Sequence, residues 1–175
     1  MSDLPRPTRP NPLDQPHLTR FKALLTEMNK ESPRGMVLIS TALLDEHLAE
    51  CIKARIVDSR DVDKLTDGFN APFGTFSARI AGAYALGILS EDEFHDLEII
   101  RKIRNDFAHQ ISIGFDNQSV GARCSNFKLS AKDYGQVVVD PESQFSSAAI
   151  ALIMRLTNRA EYVSQKRLIP EEWPY

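Results

Sequence analysis

The chain has 175 residues, a formal net charge of -3, 42% hydrophobic residues and 26% charged residues. These values fit one globular domain, which at this length buries about 70% of its unfolded surface without a metal or a disulfide, and they argue against a surface that grips nucleic acid throughout. Because there are two cysteines, no apolar run near the ~20 residues of a membrane span and no apolar signal core at the start, we expect a cytoplasmic protein with no membrane contact.

Proline divides the start of the chain from the rest. Residues 1–16 carry five of the ten prolines, which fix the backbone and remove hydrogen-bond donors. They predict an extended Pro-rich arm, for which a solvated leader is favoured over a partner-docking tail. A helical domain is predicted for residues 17–169, followed by a tail of residues 170–175.

The first part of the domain predicts two helices. Apolar residues recur every three to four positions over residues 17–30. Ser32 as N-cap and Pro33 as first helical residue start a second helix, which runs to about Ile56. Arg34 and Asp45 lie inside its apolar stripe. A second apolar surface predicts that other helices cover it on two sides, so it is expected to be central.

Turn and capping signals predict the remaining elements. Three helices are expected in the middle of the chain, at Asp61–Leu65, Phe76–Leu86 and Glu91 to about Gln110. Asn117–Phe127 predicts a short helix, Gln136–Val139 a short extended segment, and Glu142–Arg167 one long final helix that begins after Asp140-Pro141. The predicted fold is all-α: a single compact multi-helix bundle.

The helix that begins at Glu91 contains the most unusual residue of the sequence. At about 100° per residue, Arg104 falls in the middle of an apolar face formed by Leu97, Ile100, Phe107, Ala108 and Ile111. A buried guanidinium needs a partner. We therefore predict that Asp45 contacts Arg104, with Arg34 nearby and Asn105 and His109 at the rim of the cluster.

This cluster has two interpretations. It is either a structural ion pair that fixes the register of two helices, which is the favoured interpretation, or a working polar pocket. In the second case Arg104-Asn105-x-x-x-His109 resembles the Arg-x(4–6)-His motif of HEPN-type helical ribonucleases. That resemblance implies His109 as general base toward a ribose 2′-OH and Arg104 as stabiliser of the phosphorane charge, often at a dimer seam.

A longer set of motifs resembles the mannitol operon repressor (MltR-type) family. The matching segments, in order, are Arg34-Gly35, Leu44-Asp45-Glu46, Asp67 to Ser77, Arg79-Ile80, Tyr84 to Gly87 and Ile100 to His109. The resemblance implies an all-helical fold and a role in transcriptional repression of sugar-alcohol uptake. The Pro-rich arm is not part of it.

The family name suggests a DNA-binding repressor, but the sequence shows no clear DNA-reading helix. A helix-turn-helix needs several basic or amide side chains on one exposed helix face. The best candidate helices, Ser119–Phe127 and Asp61–Leu65, offer one Arg and one Lys respectively. We therefore expect action through a protein partner, such as a DNA-binding regulator, together with self-association. Direct nucleic-acid binding stays open, and the residue spacing predicts no metal ion or cofactor.

Overall fold

The computed structural model describes residues 25, 26, 28, 30–68 and 70–174. This part of the chain forms seven helices: α1 Pro33–Arg55, α2 Val62–Thr66, α3 Phe76–Ala85, α4 Glu91–His109, α5 Gln118–Cys124, α6 Pro141–Thr157 and α7 Arg159–Ser164. The predicted compact all-α bundle is confirmed. The Pro-rich arm and most of the helix predicted for residues 17–30 lie outside the described residues.

Local capping signals set the helix starts. At α1, α3, α4 and α6, a side chain accepts a hydrogen bond from a backbone N–H of the first turn; the four caps are Ser32, Thr75, Ser90 and Asp140. Glu93 completes a capping box with Ser90 at the start of α4. Gly87 follows α3 with φ of 68°, a left-handed conformation that favours glycine. These predictions from the sequence are confirmed.

The α1 helix is central, as its two apolar surfaces predict. It packs against α3, α4, α6 and α7. Val37, Leu44, Leu48 and Ile52 are fully buried along its length. Burying a Val, Leu or Ile side chain stabilises the fold by about 1.5–3 kcal/mol, so these positions make α1 the main support of the core.

Aromatic rings join the second half of the bundle to α4. The rings of Phe107 in α4 and Phe115 in the following loop have centroids 5.1 Å apart, and Phe115 lies 5.5 Å from Phe145 in α6. Phe127 contacts the same Phe145 ring edge-on at 6.2 Å. Such tilted and edge-on pairs add about 0.5–1.5 kcal/mol each beyond area burial. They hold the C-terminal end of α4 firmly in the core.

The prediction of one long final helix is wrong. It is divided into α6 and α7 at Asn158, whose φ of -108° and ψ of 5° lie outside the helical region. The division lets Arg159 donate a hydrogen bond to the carbonyl oxygen of Ile88, at 2.7 Å. Ala160 and Val163 still pack against the core after the break. The apolar spacing therefore continues across it, which is why periodicity alone missed the division.

Two smaller features complete the fold. The predicted extended segment is reduced to one antiparallel bridge between Tyr134 and Val137, with Gly135 at φ of 60° in the turn. In the described part of the chain, no helix combines the length and apolarity that a bilayer crossing requires.

Candidate functional site

Three of the five predicted site residues lie at the C-terminal end of α4. Arg104 and His109 are exposed, and Asn105 is half-buried. Arg104 Nη1 donates a hydrogen bond to Asn105 Oδ1 at 3.2 Å. His109 is the last residue of the helix. Among the described residues, no hydrogen-bond partner orients its imidazole ring.

Arg34 lies at the same end of α4 and caps it. Its guanidinium donates hydrogen bonds to the carbonyl oxygens of Phe107, Gln110 and Ile111, the last two at 2.7 and 2.8 Å. The last carbonyls of a helix have no partner within the helix and carry the negative end of its dipole, so a cation there is favourable. Arg34 thus ties the start of α1 to the end of α4.

The predicted burial of Arg104 is wrong. The buried face of α4 is centred on Ile100, Ile103 and Phe107, and at about 100° per residue Arg104 lies beside that face. Ala108 is exposed. Ile111 lies beyond the end of the helix and is also exposed. Counting these last two residues as core had rotated the predicted face toward Arg104.

The predicted contact between Asp45 and Arg104 is also wrong, because Asp45 pairs with Arg79 of α3. Asp45 Oδ2 lies 2.8 Å from Arg79 Nη1, with side chains 30% and 13% exposed. The sequence was right that Asp45 faces a guanidinium from another helix. It named the wrong helix, because Arg79 lies in a short helix with no long apolar stripe of its own.

Arg79 braces the loop between α2 and α3. Besides its ion pair with Asp45, its Nε donates to the carbonyl oxygen of Phe73 and its Nη2 to that of Thr66, both at 2.8 Å. One guanidinium therefore joins α1, the end of α2 and the loop before α3. An open depression of about 360 Å³ lies over this pair and is predominantly acidic, with Glu46, Glu50 and Asp67 among its lining residues.

A buried ion pair that the sequence analysis missed lies at the other end of α4. The Glu93 carboxylate is 2% exposed and receives hydrogen bonds from Arg159 Nη1 and Nη2, at 3.2 and 2.8 Å. It also accepts the backbone N–H of Ser90 at 2.9 Å. Burial alone would raise the pKa of Glu93, but the hydrogen bonds from Arg159 and Ser90 outweigh it and hold the pKa below its ordinary value. Only the capping role of Glu93 was readable locally, because Arg159 is distant in the chain.

The structure does not bring the members of the predicted cluster together at one point. Arg104 and His109 are five positions apart on the helix, so their side chains diverge by roughly 140°. Asp45, the expected third member of the cluster, faces Arg79 instead. In the described residues, no group of three or more His, Cys, Asp or Glu side chains is placed to hold a metal ion. A binding or catalytic role for the predicted cluster stays a prediction.

Comparison with solved structures finds a protein of similar fold. The chain superposes on a chain of the MtlR–HPr complex from Escherichia coli with a TM-score of 0.57 and 19% sequence identity, over 82% of this chain and 97% of that one. This chain has an MtlR-type fold. The resemblance seen in the sequence motifs is thereby confirmed for the fold.

The similarity is one of structure more than of sequence. No protein-family profile matches the chain, and no curated protein sequence does. The motifs from Arg34 to His109 nevertheless predicted the same relative that the superposition finds. In this fold those motifs include the Arg79 brace and the Arg34 cap, which both stabilise connections between helices.

Proposed function

We propose that this protein is a helical regulator of the mannitol operon repressor type that acts by binding a protein partner, with HPr as the first candidate. The observation that supports it is the fold: the superposed relative, which this chain covers almost end to end, was solved in complex with HPr. A regulator that works through a partner needs a stable scaffold with exposed contact surfaces, which agrees with the described helices.

The basic residues of the two candidate DNA-reading helices support action through a partner. Arg123 of α5 forms an ion pair with Asp106 of α4. Lys64 of α2 lies 2.6 Å from Asp61 within its own turn. A side chain that reads a base edge must present its donors to the groove. Both cations are instead engaged by carboxylates of this chain.

A binding measurement with purified HPr tests the proposal. Titration calorimetry of the full-length chain with E. coli HPr should give a saturable 1:1 signal, with a dissociation constant on the order of micromolar, typical of a transient regulatory contact. A protein of similar size and charge but unrelated fold is the negative control. A flat HPr titration up to several hundred micromolar, roughly the weak end of such contacts, would contradict the proposal.

Direct DNA binding and ribonuclease activity are tested separately. We expect no mobility shift of mannitol-operon promoter DNA that survives competitor DNA at low salt, where electrostatic binding is strongest. Single-stranded RNA incubated with the protein in EDTA should stay intact. Cleavage that disappears in His109→Ala and Arg104→Ala, with circular dichroism unchanged, would instead favour the HEPN-like endoribonuclease.

Self-association belongs to the same proposal. Ile111, 96% exposed, lies just beyond the exposed Arg104 and His109 at the end of α4, and such an exposed apolar residue beside polar side chains suits a contact between copies. Light scattering coupled to gel filtration should give at least twice the monomer mass. A monomer at about 100 µM, above the dissociation constant of a stable dimer, would argue against this part.

A further inference from the structure

A groove lies at the end of the bundle where α1 and α3 end and α7 begins. It has a volume of about 520 Å³, and its lining includes Arg55 of α1, Leu86 after α3, and Arg159, Tyr162, Val163 and Lys166 at or beyond the start of α7. Pockets that hold small ligands have volumes of roughly 300–1,000 Å³. No residue of the predicted α4 cluster lines this groove.

The groove is basic although the whole chain is acidic. Arg55, Arg159 and Lys166 line it, and no carboxylate is among its described lining residues. Arg167 is close by, since its guanidinium donates to the carbonyl oxygen of Ile56 at 3.2 Å. The exposed Glu161 precedes Tyr162 on α7. Positive charge is thus concentrated at one end of a protein whose formal charge is -3.

The three lining cations are not equally available. Arg159 is held by Glu93 and by the carbonyl oxygen of Ile88, so its charge is largely neutralised. Arg55 uses only Nε, which donates to the carbonyl oxygen of Leu86 at 3.3 Å. Among the described residues, the terminal nitrogens of Arg55 and the ammonium of Lys166 have no acceptor. They are therefore the groups that can bind an anion.

Exposed apolar and aromatic residues lie in the groove and in the segment that follows α7. Tyr162 is 65% exposed. Leu168, also exposed, is fixed beside the groove because its N–H donates to the carbonyl oxygen of Arg55 at 2.8 Å. Ile169 and Trp173, which is 77% exposed, follow in the same segment. Exposed Tyr, Trp and Arg side chains are the residues most enriched at the centre of protein interfaces.

We propose that this groove docks an acidic segment of a protein partner that also carries an apolar side chain. A carboxylate of the partner bridges Arg55 and Lys166, and its apolar neighbour packs on Tyr162 and Val163. The charge of the groove excludes a basic segment, because bringing like charges together is unfavourable. The inference rests on the proposed function, since it names the surface through which the regulator would hold its partner.

A peptide probe tests the groove without any natural partner. A fluorescent hexapeptide that alternates glutamate with leucine should raise its anisotropy on the wild-type chain, and added salt should weaken the binding. Its glutamine counterpart should bind at least tenfold more weakly. Lys166→Glu and Tyr162→Ser, both exposed substitutions, should each weaken the acidic peptide on the order of tenfold. Lys128→Glu, an exposed charge reversal outside the groove, should leave the affinity unchanged.

Three results would overturn the groove assignment. The first is no binding of the acidic peptide at millimolar concentration, and the second is an equal loss of peptide affinity in Lys128→Glu and Lys166→Glu. The third is full displacement of the peptide by inorganic phosphate at a concentration that adds little ionic strength, which would indicate a small-anion site. Repeating the HPr titration with Lys166→Glu separates the two proposals. If HPr binds the wild type and this variant equally, the groove assignment fails and the regulator function stands. If HPr binds neither while the acidic peptide distinguishes them, the choice of HPr fails and the groove stands.

Discussion

Replacing Glu93 with alanine should strongly destabilise the protein. The carboxylate is 2% exposed, bonded to two guanidinium nitrogens of Arg159 and to the backbone N–H of Ser90. Removing one member of a buried ion pair costs about 3–5 kcal/mol, because the other charge stays buried. Arg159 is 24% exposed and keeps its bond to Ile88, so the lower end of that range applies.

Loss of the capping box adds to this cost. An N-terminal cap contributes about 0.5–1 kcal/mol, and Ser90 retains half of the reciprocal pair in Glu93→Ala. The total is about 3–4 kcal/mol, which for a chain of this size lowers the melting temperature by roughly 10 °C. Urea unfolding followed by circular dichroism at constant m-value measures it directly.

Two further variants isolate the ion pair from other effects. Glu91→Ala removes an exposed acid from the same first turn and should cost no more than about 0.5 kcal/mol through the helix dipole. Arg159→Ala and the double variant complete a thermodynamic cycle, with an expected coupling on the order of 2 kcal/mol. If Glu93→Ala and Glu91→Ala unfold at the same urea concentration, or the coupling is near zero, the reasoning is refuted.

Three other predictions concern stability. Asp45→Ala should lower the free energy of unfolding by about 2 kcal/mol, because it leaves the guanidinium of Arg79 without its carboxylate. Arg104→Ala should stay within about 0.5 kcal/mol of wild type. If urea unfolding instead showed the larger loss for Arg104→Ala, the pairing of Asp45 with Arg79 would be contradicted. Folding lowers the pKa of Glu93 from its ordinary value of 4.5. The ionised carboxylate therefore stabilises the fold above about pH 4.5, and this contribution is lost as the pH falls through the lower pKa of the folded protein. Glu93→Gln should therefore flatten the drop in melting temperature between about pH 7 and about pH 3, and an unchanged slope would contradict this. Gly82→Ala should cost about 1–3 kcal/mol, because its Cβ would overlap the aromatic ring packed on it; Gly121→Ala, whose Cβ has open contacts of 3.6 Å or more, is the control and should melt no lower than wild type.

The helix plan was predictable because its signals are local. Ser32, Thr75, Ser90 and Asp140 cap helices through hydrogen bonds to residues three positions away, and sequence shows such pairs directly. Gly87 is also a local signal, because glycine readily adopts the left-handed conformation that follows α3. The break at Asn158 was missed because apolar residues repeat at helical spacing on both sides of it.

The site was only partly predictable because its partners are not local. The apolar stripe of α1 showed correctly that Asp45 faces inward, but a helical wheel cannot name the facing residue. Arg79 lies in a recognised motif, and its position 34 residues beyond Asp45 gave no spacing to test. Arg104 was misplaced because two apolar residues outside the core were counted with it. Glu93 had a complete local explanation, which concealed the second partner that buries it.

Because the final helix is divided at Asn158, residues beyond it can unfold locally while the rest of the bundle stays folded. Beyond it, α7 contributes no fully buried side chain, and the following segment is fastened mainly by backbone carbonyls of Arg55 and Ile56. Segments with few buried contacts open at lower free energy than the global fold. The wall of the groove beyond Arg159, which Glu93 anchors, can therefore open while the rest of the bundle keeps its shape, so a ligand bound there also sets how long that wall stays closed.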